Sequence, residues 1–202
     1  LIGCVYQGNA SHMSAGQLWY EYIGTSMSPN RYRVYLQLYR DDSGITLGNT
    51  QQLSLNSPCS GSQSYTMNLV SLAVQISPLD TITGSSAGAI KVPYANSCVD
   101  TSNSSLKSYE IFLYMKEVDL QTNCSYTFSF STCCRTVSNN LVSQSAGYYI
   151  EAFLSRPSDQ NSSPKINIPA AKSLCSNRPF FWAQPTFDID GDSRYFEIQN
   201  PL

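Results

Sequence analysis

The sequence predicts an all-β protein: an antiparallel β-sandwich of the Ig-like kind, followed by the start of a second Ig-like or cadherin-like module. Three observations carry that expectation. Short runs rich in Tyr, Val, Leu and Ile recur along the 202 residues, each bounded by Ser, Asn, Gly or Pro. The clearest run alternates its two faces with a period of two, as a half-buried strand does. No long segment carries the period of an amphipathic helix, and none approaches the ~20 apolar residues with which a helix crosses a bilayer.

The elements follow in order. Gln17-Leu-Trp-Tyr-Glu-Tyr-Ile23 and Arg31-Tyr-Arg-Val-Tyr-Leu-Gln-Leu-Tyr-Arg40 are aromatic and β-branched runs separated by a turn region from Gly24 to Asn30, which reads as a hairpin. In the second run Tyr32, Val34, Leu36 and Leu38 share one face, and Arg31, Arg33, Tyr35, Gln37 and Tyr39 share the other. Asp41-Asp42-Ser43-Gly44 supplies the turn chemistry that ends it. Further strands are expected at Gln51 to Leu55, Met67 to Ile76, Ser108 to Val118, Tyr126 to Phe130 and Gly147 to Leu154. Short strands at this spacing, joined by such turns, argue for a sandwich.

Domain organisation follows from a change of composition. Residues 11–155 make the sandwich domain. Ser155-Arg-Pro-Ser-Asp-Gln-Asn-Ser-Ser-Pro164 has no core-forming residue and two prolines, so 156–164 reads as an interdomain joint. Residues 165–202 would begin the second module, too short a stretch to bury its own core. Residues 1–10 read as the remnant of an export signal, with Gly8 and Ala10 as small residues before Ser11. A lipid-attachment box at Leu1-Ile-Gly-Cys4 and ordinary structure are the competing readings.

Composition narrows the function. Charged residues make up 13% of the chain, about half the typical share, so Ser, Asn, Thr and Gln must cover the surface. A formal net charge of −2 offers no field for drawing in nucleic acid or anionic lipid, which excludes a nucleic-acid partner. Cys59, Cys98, Cys124, Cys133, Cys134 and Cys175 then read as a disulfide framework in an exported, extracellular protein. Cys133 and Cys134 are adjacent and cannot point to the same face of a strand, so one of them is expected to take a distant partner. A metal role for this pair is disfavoured because Cys-x-x-Cys spacing and His partners are absent from the sequence around it.

The chain also resembles a known family. Ala10-Ser-His-Met-Ser-Ala-Gly-Gln-Leu-Trp-Tyr-Glu-Tyr22, Tyr32-Arg-Val-Tyr-Leu-Gln-Leu-Tyr-Arg-Asp-Asp-Ser-Gly44, Cys133-Cys-Arg135, Tyr149-Ile-Glu-Ala152, Asn161-Ser-Ser-Pro164, Cys175, Pro179-Phe180 and Asp188-Ile-Asp-Gly-Asp-Ser193 occur in that order. They resemble the N-terminal region of large surface proteins of the Bacteroidetes, associated with gliding-motility C-terminal domains and type IX secretion. The chain departs from that pattern at Asp42, where the family has Cys, and at Thr136, where it has Asn. The resemblance implies a secreted, multidomain, adhesin-like protein at the cell surface, with no active site and with a sorting signal beyond Leu202.

Chemistry along the chain is sparse. His12 is the only histidine, so a Ser-His-Asp or Cys-His arrangement has one place to form, and helping the first strand to start is the expected role instead. Asp188, Asp190 and Asp192 place carboxylates at alternate positions around Gly191. Such oxygens suit Ca²⁺, although the loop lacks EF-hand spacing, and an Asp-bonded turn is the favoured reading beside it. Trp19, Tyr20, Tyr22, Tyr35, Tyr39, Tyr148 and Tyr149 offer rings for stacking sugars, but alternation sends about half of such side chains into the core. Asn-x-Ser sequons at Asn9, Asn103, Asn123 and Asn161 carry little weight in a chain this rich in Asn and Ser. The expected function is a non-enzymatic module of an adhesin-like or structural surface protein, with a protein or glycan ligand. A carbohydrate-binding module of a polysaccharide-handling protein is the alternative.

Overall fold

The computed structural model describes residues 13–41, 45–70, 90–92, 109–133, 135, 147–166, 177, 179 and 186–197. The expected signal remnant, His12, Cys98, Cys134 and Cys175 lie outside these residues, as does the expected strand from residue 71 to 76. Among the described residues there are ten strands and one 3₁₀ turn, Pro157–Asp159. The strands are β1 (Met13–Tyr22), β2 (Arg31–Asp41), β3 (Thr50–Ser57), β4 (Gly61–Leu69), β5 (Ile90–Val92), β6 (Tyr109–Asp119), β7 (Tyr126–Thr132), β8 (Tyr148–Leu154), β9 (Lys165–Ile166) and β10 (Thr186–Phe187). No helix among them is long and apolar enough to cross a membrane.

Hydrogen bonds connect the main strands in the order β1-β2-β6-β4-β3-β7-β8, with β5 also on β6 and every pair antiparallel. The link between β6 and β4 is short, covering only Met115–Asn68 and Tyr114–Leu69. The sheet therefore folds over at this corner, so that β1-β2-β6 faces β4-β3-β7-β8. Strands one, two and six in one layer, against three, seven and eight in the other, is the Greek-key order of an Ig-like sandwich. The expected all-β, antiparallel sandwich is the observed one.

Alternation builds the core. Tyr32, Val34, Leu36 and Leu38 of β2 are fully buried, and so are Leu53, Met67, Tyr114 and Phe128 from five strands in all. Tyr20 joins the layers, with its ring 5.8 Å from Tyr32 on its own side and 5.6 Å from Phe128 on the other. Such aromatic pairs add about 1 kcal/mol each beyond the area they bury.

Beyond Leu36 the second face of β2 is buried as well, which simple half-burial does not anticipate. Gln37, Tyr39, Ile111 and Leu113 share that face and are all nearly inaccessible. Polar groups there satisfy one another: the Gln37 amide donates to the Tyr39 hydroxyl at 3.0 Å and accepts from Gln17 at 2.7 Å. Gln17 in turn bonds both the N–H and the C=O of Ile166 at 3.1 Å. A buried amide without such partners would cost about 1–3 kcal/mol.

Register between β2 and β6 is marked by charge. Arg31, Arg33 and Arg40 stand directly opposite Asp119, Glu117 and Glu110, and each forms an ion pair with the residue it faces. The first two pairs, at 2.8 and 2.7 Å, lie in water. Arg40–Glu110 is buried, with the guanidinium also 6.0 Å from the Phe112 ring centre.

Disulfides brace the loops. Cys59, in the β3–β4 turn, is bonded to Cys124, just before β7, across a Cα separation of 6.1 Å. Closing a loop of 65 residues stabilises the fold by about 4 kcal/mol in the chain-entropy account. Cys133 is also disulfide-bonded.

Strand β4 begins six residues before the expected Met67. Its Gly61-Ser-Gln-Ser start is exposed and has no apolar period to read; the ladder with β3, from Ser57–Gly61 to Thr50–Asn68, forms it.

The ion pairs separate by burial. Glu110→Ala leaves a buried guanidinium without its carboxylate and should cost about 3–5 kcal/mol. Arg31→Gln removes an exposed pair and should cost no more than about 1 kcal/mol. Urea unfolding of the two variants measures the difference; equal costs would remove the assigned role of burial.

Candidate functional site

The chain leaving β8 crosses to the free edge of β1 and is fastened there. The Ser163 N–H donates to the Tyr20 C=O at 2.9 Å, and the Ser163 hydroxyl accepts from the Tyr20 N–H at 2.9 Å. The Ser162 hydroxyl accepts from the Tyr22 N–H at 3.1 Å. Serines suit this work because a short hydroxyl beside its own backbone can meet an edge strand in two ways. Residues 156–164, expected as a joint, thus run partly as a strap on the sandwich.

The Asp run holds the strap. Asp188 is buried and its Oδ1 accepts the Asp190 N–H at 2.9 Å, a turn closed by the side chain. Gly191 follows with φ +81°, a left-handed conformation that glycine adopts without steric cost. The Asp190 carboxylate accepts the N–H of buried Ser162. No group of three or more His, Cys, Asp or Glu side chains among the described residues is placed to hold a metal ion. Two of the three carboxylates of Asp188, Asp190 and Asp192 thus accept backbone N–H groups and the chain turns at Gly191, the geometry of an Asp-bonded turn.

Between the arm that carries this turn, residues 186–197, and β8 lies a groove of about 460 Å³. Leu18 and Tyr20 of β1 line it, with Glu151 and Phe153 of β8 on one side and Tyr195 and Phe196 of the arm on the other. Asp188 and Asp192 reach it, as does Arg194, whose guanidinium also donates to the Thr186 C=O. Phe153, Tyr195 and Phe196 are 61%, 86% and 55% exposed, three rings gathered around one groove.

The rings singled out from the sequence are mostly elsewhere. Trp19 is buried, stacked on Tyr35 at 4.9 Å with an interplanar angle of 14°, and the Lys165 ammonium sits 4.9 Å from its ring centre. Tyr20, Tyr39 and Tyr148 are buried too, and of the seven only Tyr149 is openly exposed. Phe153, Tyr195 and Phe196 were not anticipated. For Phe153 a signal existed: it shares a strand face with Glu151, which marks that face as the solvent side. Tyr195 and Phe196 lie in no regular strand and offered no period.

Tyr20 fixes the groove's floor by donating its hydroxyl to the Phe153 C=O at 2.9 Å. Burial, and then the nearby Asp188 and Asp190 carboxylates, push its pKa up to about 12. Burial likewise pushes Tyr148 up to about 12.

The chain has no match among models of known protein families, curated proteins or solved structures. What the fold and site define is a disulfide-braced, Ig-like β-sandwich with an aromatic groove beside its last large strand.

Two outcomes follow. Asp190→Ala should lower stability by about 1 kcal/mol through loss of the Ser162 bond, and millimolar Ca²⁺ should move the melting temperature of the unaltered protein by less than about 1 °C. A calcium-dependent rise that Asp190→Ala abolishes would select the calcium reading. The tyrosines give the second: protons held to about pH 12 in the fold leave the unfolded chain near pH 10. The contribution of these two tyrosines to stability is then constant below pH 10 and falls as pH rises from 10 to 12, by about 1.4 kcal/mol per pH unit for each. Urea midpoints at pH 8, 10 and 11 check the slope, and Tyr20→Phe should reduce it.

Proposed function

We propose that this chain is a non-enzymatic extracellular module of an adhesin-like or structural surface protein, and that it holds a protein partner at the groove between β8 and the arm. The observation that carries the reading is the cluster of exposed Phe153, Tyr195 and Phe196 around that groove. Rings and arginine are the side chains that most often dominate protein interfaces, because they bury much area at little conformational cost. Bonded Cys59, Cys124 and Cys133 support an oxidising compartment, and the resemblance to Bacteroidetes surface proteins supports a place on the cell exterior. On the same reading, residues 165–202 open a second Ig-like or cadherin-like module.

A carbohydrate-binding module remains the second reading, favoured by one arrangement: Glu151, Asp192 and Arg194 line the groove with the exposed rings. Rings stack on the apolar faces of sugars, and planar charged groups bond their hydroxyls.

Binding of the oxidised chain to an array of surface-protein peptides and to a glycan array tests the proposal. Peptide binding should weaken at least ten-fold in the double variant Tyr195→Ala, Phe196→Ala, with the melting temperature unchanged because both rings are exposed. Glycan binding lost in the same variant would select the second reading. Binding to neither array, or binding that ignores the variant, would overturn the role of the groove.

A further inference from the structure

The two edges of the sandwich that meet near the groove are treated differently. Strand β1 is covered on its outer side by Ser162, Ser163 and, through Gln17, Ile166. Among the described residues strand β8 pairs only with β7 and ends the sheet. Alternate residues of such a strand turn their N–H and C=O away from the sheet. On β8 the Phe153 C=O meets the Tyr20 hydroxyl, and no other backbone partner on that side is found among the described residues. The sequence of this edge, Tyr148-Tyr-Ile-Glu-Ala-Phe-Leu154, contains none of the prolines or lysines that usually block an edge.

Its side chains are patterned. Tyr149, Glu151 and Phe153 form an exposed stripe of ring, carboxylate and ring. Opposite them β7 places Ser131, Ser129 and Thr127, so neither ring has an aromatic or aliphatic cross-strand neighbour and the carboxylate has no cation. Glu151 accepts the Tyr149 hydroxyl at 2.6 Å, and no Lys or Arg among the described residues pairs with it. Ile150 and Ala152 point the other way, against the core.

We propose that β8 is a strand-addition site for an extended protein segment that carries a basic residue opposite Glu151 and an apolar or aromatic residue two positions to either side. This rests on the protein-partner reading of the groove and names its chemistry. Main-chain bonds along β8 supply affinity, and the alternating side chains supply choice of sequence. Charge selects the occupant. An antiparallel second copy centred on the same strand would bring Glu151 against Glu151, which is unfavourable, whereas a lysine or arginine there gains an ion pair flanked by two rings.

The probe is a fluorescent peptide, Ser-Thr-Phe-Val-Lys-Val-Tyr-Thr-Ser, titrated against the full oxidised chain and followed by anisotropy. Saturable binding is expected, weakened at least ten-fold when the central lysine is replaced by glutamate. Methylation of alternate backbone nitrogens, which blocks strand pairing, should abolish it. Glu151→Lys, a change at an exposed position, should reverse the preference so that the glutamate peptide binds more tightly. The proposal is overturned by equal binding of the methylated peptide, by an unchanged preference in Glu151→Lys, or by absence of binding at millimolar peptide. A concentration-dependent dimer in ultracentrifugation that β8 variants disrupt would make a second copy the occupant and overturn it too. If array ligands still depend on Tyr195 and Phe196 while Glu151→Lys has no effect, strand addition fails and the groove reading stands; if nothing binds, both fail.

Discussion

The pairing of Arg31–Asp41 with Tyr109–Asp119 is the constraint on which the rest of the molecule depends. It runs over eleven residues without a slip, and it brings together strands far apart in the chain. A shift of one position would turn Tyr32, Val34, Leu36 and Leu38 out of the core. A shift of two would keep the faces but separate each arginine from the acid it now faces. Hydrophobic alternation thus excludes one class of error and charge the other. The exposed pairs do this at little gain in stability, and specificity is the clearer role for them.

From that register the layers follow. β1 lies on one side of β2, and the far side of β6 is shared by β5 and the end of β4, so the sheet must turn at Asn68 and Leu69. The turn sets β3 and β7 opposite β2, where Phe128 meets Tyr20. Tyr20 then reaches past the core to the Phe153 carbonyl. One side chain in this way links the β2 register to the position of β8, and hence to the width of the groove.

What could be read from the sequence was what depends on near neighbours. Tyr32 to Tyr39 declare a strand by alternation alone, and Gly24 to Asn30 declare the turn before it. The start of β4 depends on a partner strand, since Gly61-Ser-Gln-Ser has no burial pattern of its own. Burial of Gln37 depends on Gln17 and Ile166, which sequence distance hides. The Asp run was visible as a cluster that could serve as a turn or a calcium site, but its partner was not. Whether Asp190 faces a cation or a backbone N–H is decided by Ser162, which lies twenty-eight positions earlier. Exposed rings were harder still, because a tyrosine's place in a strand says which face it takes and not what covers that face.

The Cys59–Cys124 bridge has a consequence for a chain that has been cut. The strands up to β4 and those from β6 onward do not form separate layers: β2 is paired with β6, and β3 with β7, across the midpoint of the chain. A protease nick between Leu69 and Tyr109 therefore leaves two fragments that complete each other's sheets and are also joined by the bridge. They would migrate as one species until a reductant is added. In that sense the domain is a complex of its own two halves, bolted at one end, and a break in the intervening backbone need not end its working life.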